Sequence, residues 1–326
     1  MKTAVLLATY NGAAHLRGQL DSLRAQSTPP DMLIIRDDAS TDGTVELLHD
    51  YLTHDWTVPA VITVNEQNVG WKFTFRELLR DFLASDAEAA FFCDQDDVWH
   101  REKIAAQLEI LSQNPAIELV SHDYLTRNTA TGRQTDSRLL FHFDGEDDEP
   151  FSRYPQADTS YSLRSGWTLA VTRSLAADVL AHWGPAQHPA YDALLTTLAC
   201  YTGTGANVNM RLGEHLIHGT NATKIASTSD TREKNIADLQ SDEDRYSIVA
   251  AVLEQRGSDR AKRAKERAAF FNGRRNVAKN GNALTATLFV LRHWSQYVSL
   301  KGRLRDIYFT LKNEPGPQNP SSVLRG

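Results

Sequence analysis

Cysteine is scarce in this chain: Cys93 and Cys200 are the only two among 326 residues. A disulfide-stapled scaffold is excluded, and two buried free thiols suit a reducing compartment. Long apolar runs are also missing. No stretch reaches the roughly 20 residues needed to cross a bilayer. The N-terminal run from Met1 to Ala8 is too short and wrongly flanked for a signal peptide, and Asn11-Gly12 cuts it off. The expected location is cytoplasmic. Two phosphate-binding fingerprints are absent as well. No G-x-G-x-x-G follows the first expected strand, which argues against a dinucleotide-binding domain. No G-x-x-x-x-G-K-[ST] occurs, so this is not a P-loop enzyme. No internal repeat of fixed period is present.

What is there is unevenly charged. The net charge is −6, which names no partner by itself. From Arg256 to Lys312 there are 14 Lys and Arg against three acids, a balance of +11 that leaves −17 for the rest. A basic C-terminal part follows an acidic body.

Strands are expected at Thr3–Thr9, Met32–Ile35 and Val61–Val64, with a fourth run ending at Asp94. Helices fall between them: Gly12–Gln26 with Leu16, Leu20 and Leu23 on one face, a second ending near Leu52, and Lys72–Leu83 with Phe75, Leu78, Leu79 and Phe82 inward. Ser40 or Thr41 is expected to cap the second helix, with Asp42 in its first turn. The alternation reads as a parallel, doubly wound α/β sheet flanked by helices. Further on, a helix is expected at Glu102–Gln113 and a strand at Glu118–His122. Residues 128–158 lack periodicity and hold the acidic run Asp144–Glu149, which reads as an exposed, mobile loop. A Ser165-Gly166-Trp167 turn leads into a strand, and helices follow at Arg173–His182 and Tyr191–Tyr201. Strand pairing is expected over Asn207–His218. A polar boundary lies at Ser227–Lys234. Beyond it come helical patterns at Ala237–Gln255, Asp259–Lys279 and Ala283–Tyr297, then a tail from Pro315 expected to be disordered. The division is 1–226 for the body, with halves of about 1–123 and 124–226, and 227–326 for a helical C-terminal extension.

The densest chemistry is Asp94-Gln95-Asp96-Asp97 after the apolar run Ala89–Cys93. In open α/β sheets, ligands bind beyond the C-terminal strand ends. Three acids within four residues repel one another unless a cation sits among them, and hard oxygen ligands suit Mg²⁺ or Mn²⁺. A solvated acidic turn is the plain alternative. Thr9-Tyr10-Asn11 and Asp37-Asp38 fall at other strand ends of the same sheet. Tyr10 can stack on a base, Asp38 can accept from a base or ribose, and a metal on the acids can hold a diphosphate. Together they suggest a nucleoside diphosphate bound without a P-loop.

Four segments carry a resemblance: Ala8-Thr9-Tyr10-Asn11-Gly12, Arg36-Asp37-Asp38-Ala39-Ser40-Thr41-Asp42-Gly43-Thr44, Asn68-Val69-Gly70, and Asp94-Gln95-Asp96-Asp97-Val98-Trp99 with Lys103. In them the chain resembles family-2 glycosyltransferases of GT-A fold, and in the last the bacterial rhamnosyltransferase branch. The resemblance covers roughly the first two-thirds of the chain. It implies inverting transfer from a nucleotide-sugar, with dTDP-rhamnose the first guess and a UDP-sugar the other. The acceptor would be a glycan or a lipid-linked glycan in cell-surface polysaccharide synthesis. Thr9, Tyr10, Asn11, Asp37, Asp38, Lys72, Asp94 and Gln95 would line the nucleotide site, Lys72 having an exposed helix-start lysine as its alternative. Asp94, Asp96, Asp97 and His218 would hold the metal. Asp192 stands at the family's acid position as general base, with Tyr191 where a His is usual; the alternative is an Asp favoured by a helix dipole. His215-Leu216-Ile217-His218-Gly219-Thr220-Asn221 resembles the family's Tyr-Arg-Gln-His-x-x-Asn, with Leu216 in place of the Arg. Trp99, Gly166, Trp167 and Tyr191 would form the donor and acceptor pocket, or Trp167 is a core Trp.

Leu284, Leu288 and Leu291 recur at helical spacing beside Trp294, with Arg292, Lys301, Arg303 and Arg305 flanking. Such a stretch either lies on an anionic membrane at the inner face or packs on the body. No nucleic-acid-binding motif accompanies the charge. Two competing functions share parts of the pattern. A sugar-nucleotide nucleotidyltransferase would carry a Gly-rich basic loop after the first strand, which Tyr10-Asn11-Gly12 is not. A non-catalytic nucleotide- or glycan-binding module would need no base.

Overall fold

The computed structural model describes residues 1–157, 164–219 and 231–311. The first half runs β1 (Thr3–Thr9), α1 (Ala13–Arg24), β2 (Met32–Asp37), α2 (Thr44–His54), β3 (Ala60–Val64), α3 (Trp71–Ala84) and β4 (Ala89–Cys93). Then follow β5 (Val98–Trp99), α4 (Lys103–Gln113), β6 (Leu119–Asn128), β7 (Gln134–Asp136), β8 (Phe151–Arg153) and β9 (Ala170–Thr172). The rest is α5 (Arg173–His182), α6 (Tyr191–Thr202), β10 (Gly205–Ile217), α7 (Arg232–Gln255), α8 (Ala261–Asn280), α9 (Ala283–Arg292) and α10 (Leu300–Leu311).

One sheet holds the molecule, in the order β3-β2-β1-β4-β9-β6-β10-β5, with β7 on β6 and β8 on β10. The first four strands pair in parallel, as expected. The half added after β4 is mixed: β9 runs antiparallel to β4 and β6, while β10 is parallel to β6.

Both faces of the parallel half are covered, and the alternation of side chains shows why. Ala4, Leu6, Ala90 and Phe92 join one core with Phe75, Leu78 and Phe82 of α3 and Leu194 of α6. Val5, Leu7, Phe91 and Cys93 join the other with Leu16, Leu20 and Leu23 of α1 and Leu48 of α2. A strand buried on both faces reads as a continuous apolar run, and β1 and β4 do. Each fully buried Leu or Phe stabilises by about 1.5–3 kcal/mol relative to exposure. The first core continues without a break into Tyr246, Val249 and Phe270 of α7 and α8. The C-terminal helices therefore pack on the body, although residues 220–230 around the expected boundary lie outside the described residues. The tail from Pro315 and Asn221 lie outside them too.

Three expectations need correction. The second helix starts at Thr44 behind Gly43 with no side-chain cap, so Asp42 precedes its first turn; Asp42 accepts instead from Thr44 N and Oγ1 and from Ala13 N. The segment 128–158 is not a bare loop. It contributes β7 and β8, and Glu146 of the acidic run is buried against Arg164 at 2.8 Å. Arg164 also holds the buried Asp123 at 2.5 Å, and Arg138 lies 2.8 Å from Asp123 and 3.5 Å from Glu146, so two guanidinium groups offset the two carboxylates. Finally, α10 continues the helical region beyond the last expected helix.

Candidate active site

The C-terminal ends of β1, β2 and β4 meet at one edge, and a hydrogen-bonded set of loops is built there. Thr9 Oγ1 donates to Asp37 at 2.7 Å beneath the surface. Asp37 also accepts from Ser40 N and Oγ, at 2.8 and 2.6 Å. These bonds hold Ala39 at φ 64° and follow Asn11 at φ 46°, two left-handed non-glycine residues on facing loops. Such backbone persists only where its surroundings fix it. Asn11 joins the loops: its N–H donates to Ser40 Oγ and its Oδ1 accepts from Thr41 N, both at 2.8 Å. Asp38 accepts from Asn65 Nδ2, Val69 N and Gly70 N at 2.8–2.9 Å. Asp38 itself is buried, so these three bonds fix it in place. Thr9 and Asp37 are buried and tied to each other in the frame beneath these loops. Tyr10 is 46 % exposed and presents its ring at the edge.

The acidic turn after β4 is clamped to this frame. Gln95 accepts from Tyr10 N at 2.8 Å and donates to Tyr10 O at 3.0 Å. A side chain at position 12 would meet Gln95 Oε1 at 2.1 Å, which accounts for Gly12. Gln95 therefore positions the turn, and its amide is occupied within the protein. Asp97 points inward, where its Oδ1 lies 2.7 Å from His215 Nδ1. Asp96 Oδ2 lies 3.0 Å from His218 Nε2, and the His218 ring stacks on His15 at 3.8 Å. Register shifts between Val208 and Glu214 interrupt the β6–β10 ladder just before these histidines. Bulges of this kind bend a strand and re-aim its side chains.

Electrostatically the turn is strained. Burial, then the charges of Asp97 and Asp96, push the Asp94 carboxyl well above the usual range. Burial also raises Asp97, against the opposing hydrogen bond from His215. His215 is raised in turn: burial alone would lower it, but the bond and charge of Asp97 prevail. Lys103 lies beneath, wholly buried, its Nζ donating to Trp167 O at 2.5 Å and 3.2 Å from the Trp99 ring centre. Burial pushes its ammonium well down, and nearby Cys93, Asp97 and Asp94 pull it back.

The fourth wall is the start of α6. Tyr191 is buried, its ring stacked on Phe92 at 4.7 Å. A Cβ on Gly166 would meet Tyr191 Oη at 2.1 Å, so the glycine lets the two segments close. The next residue, Asp192, is half-buried. Its Oδ1 accepts from Ala193 N at 2.7 Å, burial raises its carboxyl, and its charge acts on Asp94.

Several expected pocket residues are placed elsewhere. Trp99 and Trp167 are core residues, 3 % and 1 % exposed, with no open face for a sugar. Tyr191 and Gly166 likewise back the site rather than line it. Lys72 donates to His188 O and Ser241 Oγ at 3.0 and 3.1 Å, which ties α3 to α7. Sequence reasoning missed two residues. Trp71 opens α3 with an exposed indole 6.1 Å from the Tyr191 ring, and only its place beside Asn68-Val69-Gly70 hinted at that. His215 was quoted only as part of a motif, and its bond to Asp97 depends on a strand crossing that sequence does not disclose.

Among the described residues, no group of three or more His, Cys, Asp and Glu side chains is gathered as a metal-holding set. The expected four-ligand site is therefore not a closed cage: Asp97 faces His215, and His218 faces Asp96. The donor chemistry still fits a hard divalent ion. Asp94 and Asp96 offer carboxylate oxygens that repel each other, and Asp97 Oδ2 is buried without a hydrogen-bond partner among the described residues. Mg²⁺-type sites commonly use one or two carboxylates and take the remaining oxygens from phosphates and water.

A family model described as Glycosyl transferase family 2 matches residues 4–166. The dTDP-rhamnosyl transferase RfbG of Shigella flexneri is 31 % identical over 111 residues, 34 % of this chain and 38 % of that protein. The putative teichuronic acid biosynthesis glycosyltransferase TuaG of Bacillus subtilis is 30 % identical over 110 residues, 34 % and 42 % of the two chains. The chain thus spans about two-fifths of these curated relatives. Among solved structures, S. aureus TarS 1–349 in complex with UDP-GlcNAc superposes with a TM-score of 0.59 at 16 % identity, covering 95 % of this chain and 79 % of that one. The mannosyltransferase PcManGT from Pyrobaculum calidifontis, in complex with GDP-Man and Mn²⁺, gives 0.51 at 17 % identity, covering 96 % and 86 %. At these identities the likeness speaks for the fold.

Proposed function

The chain belongs to glycosyl transferase family 2, and from that premise we propose that it transfers a sugar from a nucleotide-sugar to an acceptor hydroxyl with inversion at the anomeric carbon. The observation that supports this reading is that α6 begins against β4, with Tyr191 stacked on Phe92 at 4.7 Å one residue before Asp192. Tyr10 offers its ring to the base, and Asn11 and Asp38 form the pocket around it. Asp94 and Asp96 would hold a divalent ion, Mn²⁺ or Mg²⁺, which supplies neutralising charge to a departing diphosphate. His218 keeps Asp96 oriented. Asp192 takes the proton of the acceptor hydroxyl as its oxygen bonds to the anomeric carbon; the bond to phosphate breaks, and the diphosphate leaves with the electron pair.

The donor proposed is dTDP-rhamnose, supported by the similarity to RfbG, with a UDP-sugar as the second choice. The acceptor proposed is a glycan or lipid-linked glycan of the cell surface, reached from the cytoplasmic face of a membrane. No helix among the described residues is long and apolar enough to cross a membrane. The lack of a Gly-rich basic loop after β1, where Tyr10-Asn11-Gly12 stands, weighs against nucleotidyl transfer.

Product stereochemistry tests the reading. Transfer to an acceptor should give the anomer opposite to that of the donor, seen by proton NMR. Asp192→Asn should lower turnover by about 10²–10⁴-fold while nucleotide binding persists. A product with retained configuration, or full turnover in the variant, would remove Asp192 from the mechanism.

A further inference from the structure

The last two helices each bury one side and leave the other bare. On α9, Ala286 and Val290 turn inward, while Leu284, Leu288 and Leu291 turn out. On α10, Phe309 is buried, while Leu300, Leu304 and Tyr308 are not. These six outward side chains are 53–68 % exposed. Their spacings of three and four residues align each set along one helix face. Trp294, exposed, sits in the turn between the helices. Single exposed leucines are ordinary on a protein surface, but two aligned stripes with a Trp between them are not.

The outward charges contributed by residues 281–311 are of one sign. Residues 281–311 contain one acid, Asp306. It is buried, accepting from Arg274 at 2.7 and 2.9 Å and from Tyr297 Oη at 2.6 Å. The outward charge is therefore cationic. Arg292 and Lys301 are exposed at the helix ends. Arg303 lies 3.9 Å over the Trp294 ring, which sets an amphipathic ring and a guanidinium side by side. Arg305 lies 3.7 Å from Asp238 and 5.5 Å over the Phe309 ring.

We propose that the α9–α10 face docks on a lipid bilayer carrying anionic headgroups, with the leucines in the acyl boundary and the cations at phosphate level. The face fits that occupant by charge. Apolar side chains bordered by Lys and Arg, with Trp and Tyr at the margin, match an interface whose headgroups are negative. A second copy of the chain fits less well, because a two-fold contact would bring the same cations toward each other. The residues after α10 fit less well again: from 312 to 326, Val323 and Leu324 are the only large apolar side chains. This docking rests on the proposed membrane-side acceptor for its purpose, but not on the chemistry after β4.

Flotation of the full chain with vesicles tests it. Vesicles of phosphatidylcholine with phosphatidylglycerol should carry the protein upward at low salt, and pure phosphatidylcholine should not. Salt at roughly 0.5 M should weaken the binding by screening. Leu288→Glu with Leu304→Glu should reduce bound protein by about tenfold or more. Both positions are exposed, so the variant's circular dichroism, melting and nucleotide binding should match the parent. Failure of the parent to float, equal flotation on neutral vesicles, or unchanged flotation of the variant would overturn the proposal. So would light scattering that shows a dimer dissolved by the two substitutions. Loss of transfer in Asp192→Asn with flotation intact would separate this surface from the catalytic reading.

Discussion

Burial makes ionisation of Asp192 costly, and two measurable consequences follow. The first concerns rate. A base works deprotonated, so the acid limb of turnover should rise through a pKa above the ordinary Asp value of about 3.9. The second concerns stability, with the opposite sense. A carboxyl raised in the folded state loses folding stability as pH climbs from its unfolded to its folded pKa, and the deficit persists above. Asp192→Asn escapes that deficit while its side-chain oxygen can still accept from Ala193 N. The variant should therefore melt higher than the parent at neutral pH, and the gap should close in acid. An equal or lower melting temperature at neutral pH would mean that the carboxylate is not destabilising. Residues of this kind were partly legible in the sequence. Asp94 and Asp96 could be named from an acidic burst at a strand end, whereas Asp192 and His218 were named only through the family resemblance. Whether an aromatic faces a ligand or a core could not be read: Trp167 and Trp71 are the same residue type with opposite exposure, decided by chain segments far away.

At the scale of elements, the site depends on how closely α6 can approach the turn before β9. Gly166→Ala should push Tyr191 aside, because a Cβ there falls 2.1 Å from its hydroxyl. Overpacking costs about 1–3 kcal/mol, so the variant should fold, as circular dichroism would show. Turnover should drop more than nucleotide binding, since Asp192 moves with Tyr191 while the β1–β2 loops stay. The segment before β9 has its own anchor. Arg164→Ala would leave the buried Asp123 and Glu146 with Arg138 alone, 2.8 and 3.5 Å away, a loss of about 1–3 kcal/mol. A urea midpoint unchanged from the parent would contradict that. The sequence hid this element because an acidic run among Gly and Pro resembles a solvated loop. Only the fold brings Arg138 and Arg164 to it. By contrast, α1, α3 and α5 were legible to within two residues, since each carries a clean apolar stripe against the sheet.

Across the whole molecule, the parallel half could be read from the alternation of apolar runs with amphipathic helices. Its mixed half could not, because β9 and β5 are short and their pairings join residues far apart in sequence. The basic C-terminal region offered two readings, packing or membrane contact. One core running from β1 to α9 answers for the buried faces. Arg256 reinforces that union, reaching Glu118 at 2.6 and 2.9 Å and Asp178 at 2.7 Å. Arg256→Ala should cost about 1–3 kcal/mol and still unfold in one transition, by fluorescence and by helix ellipticity alike. Two separated transitions would mean that the helices form a unit of their own.

The central claim is that the acids after β4 serve a metal-bound diphosphate. Calorimetric titration of dTDP and of UDP, with and without Mn²⁺, into the parent and into Asp94→Asn tests it directly. The account predicts that the parent binds one of these nucleotides in the presence of Mn²⁺ and loses that binding when the metal is chelated, with the variant failing to bind under either condition. Nucleotide binding of equal strength in parent and variant, indifferent to Mn²⁺, would contradict it.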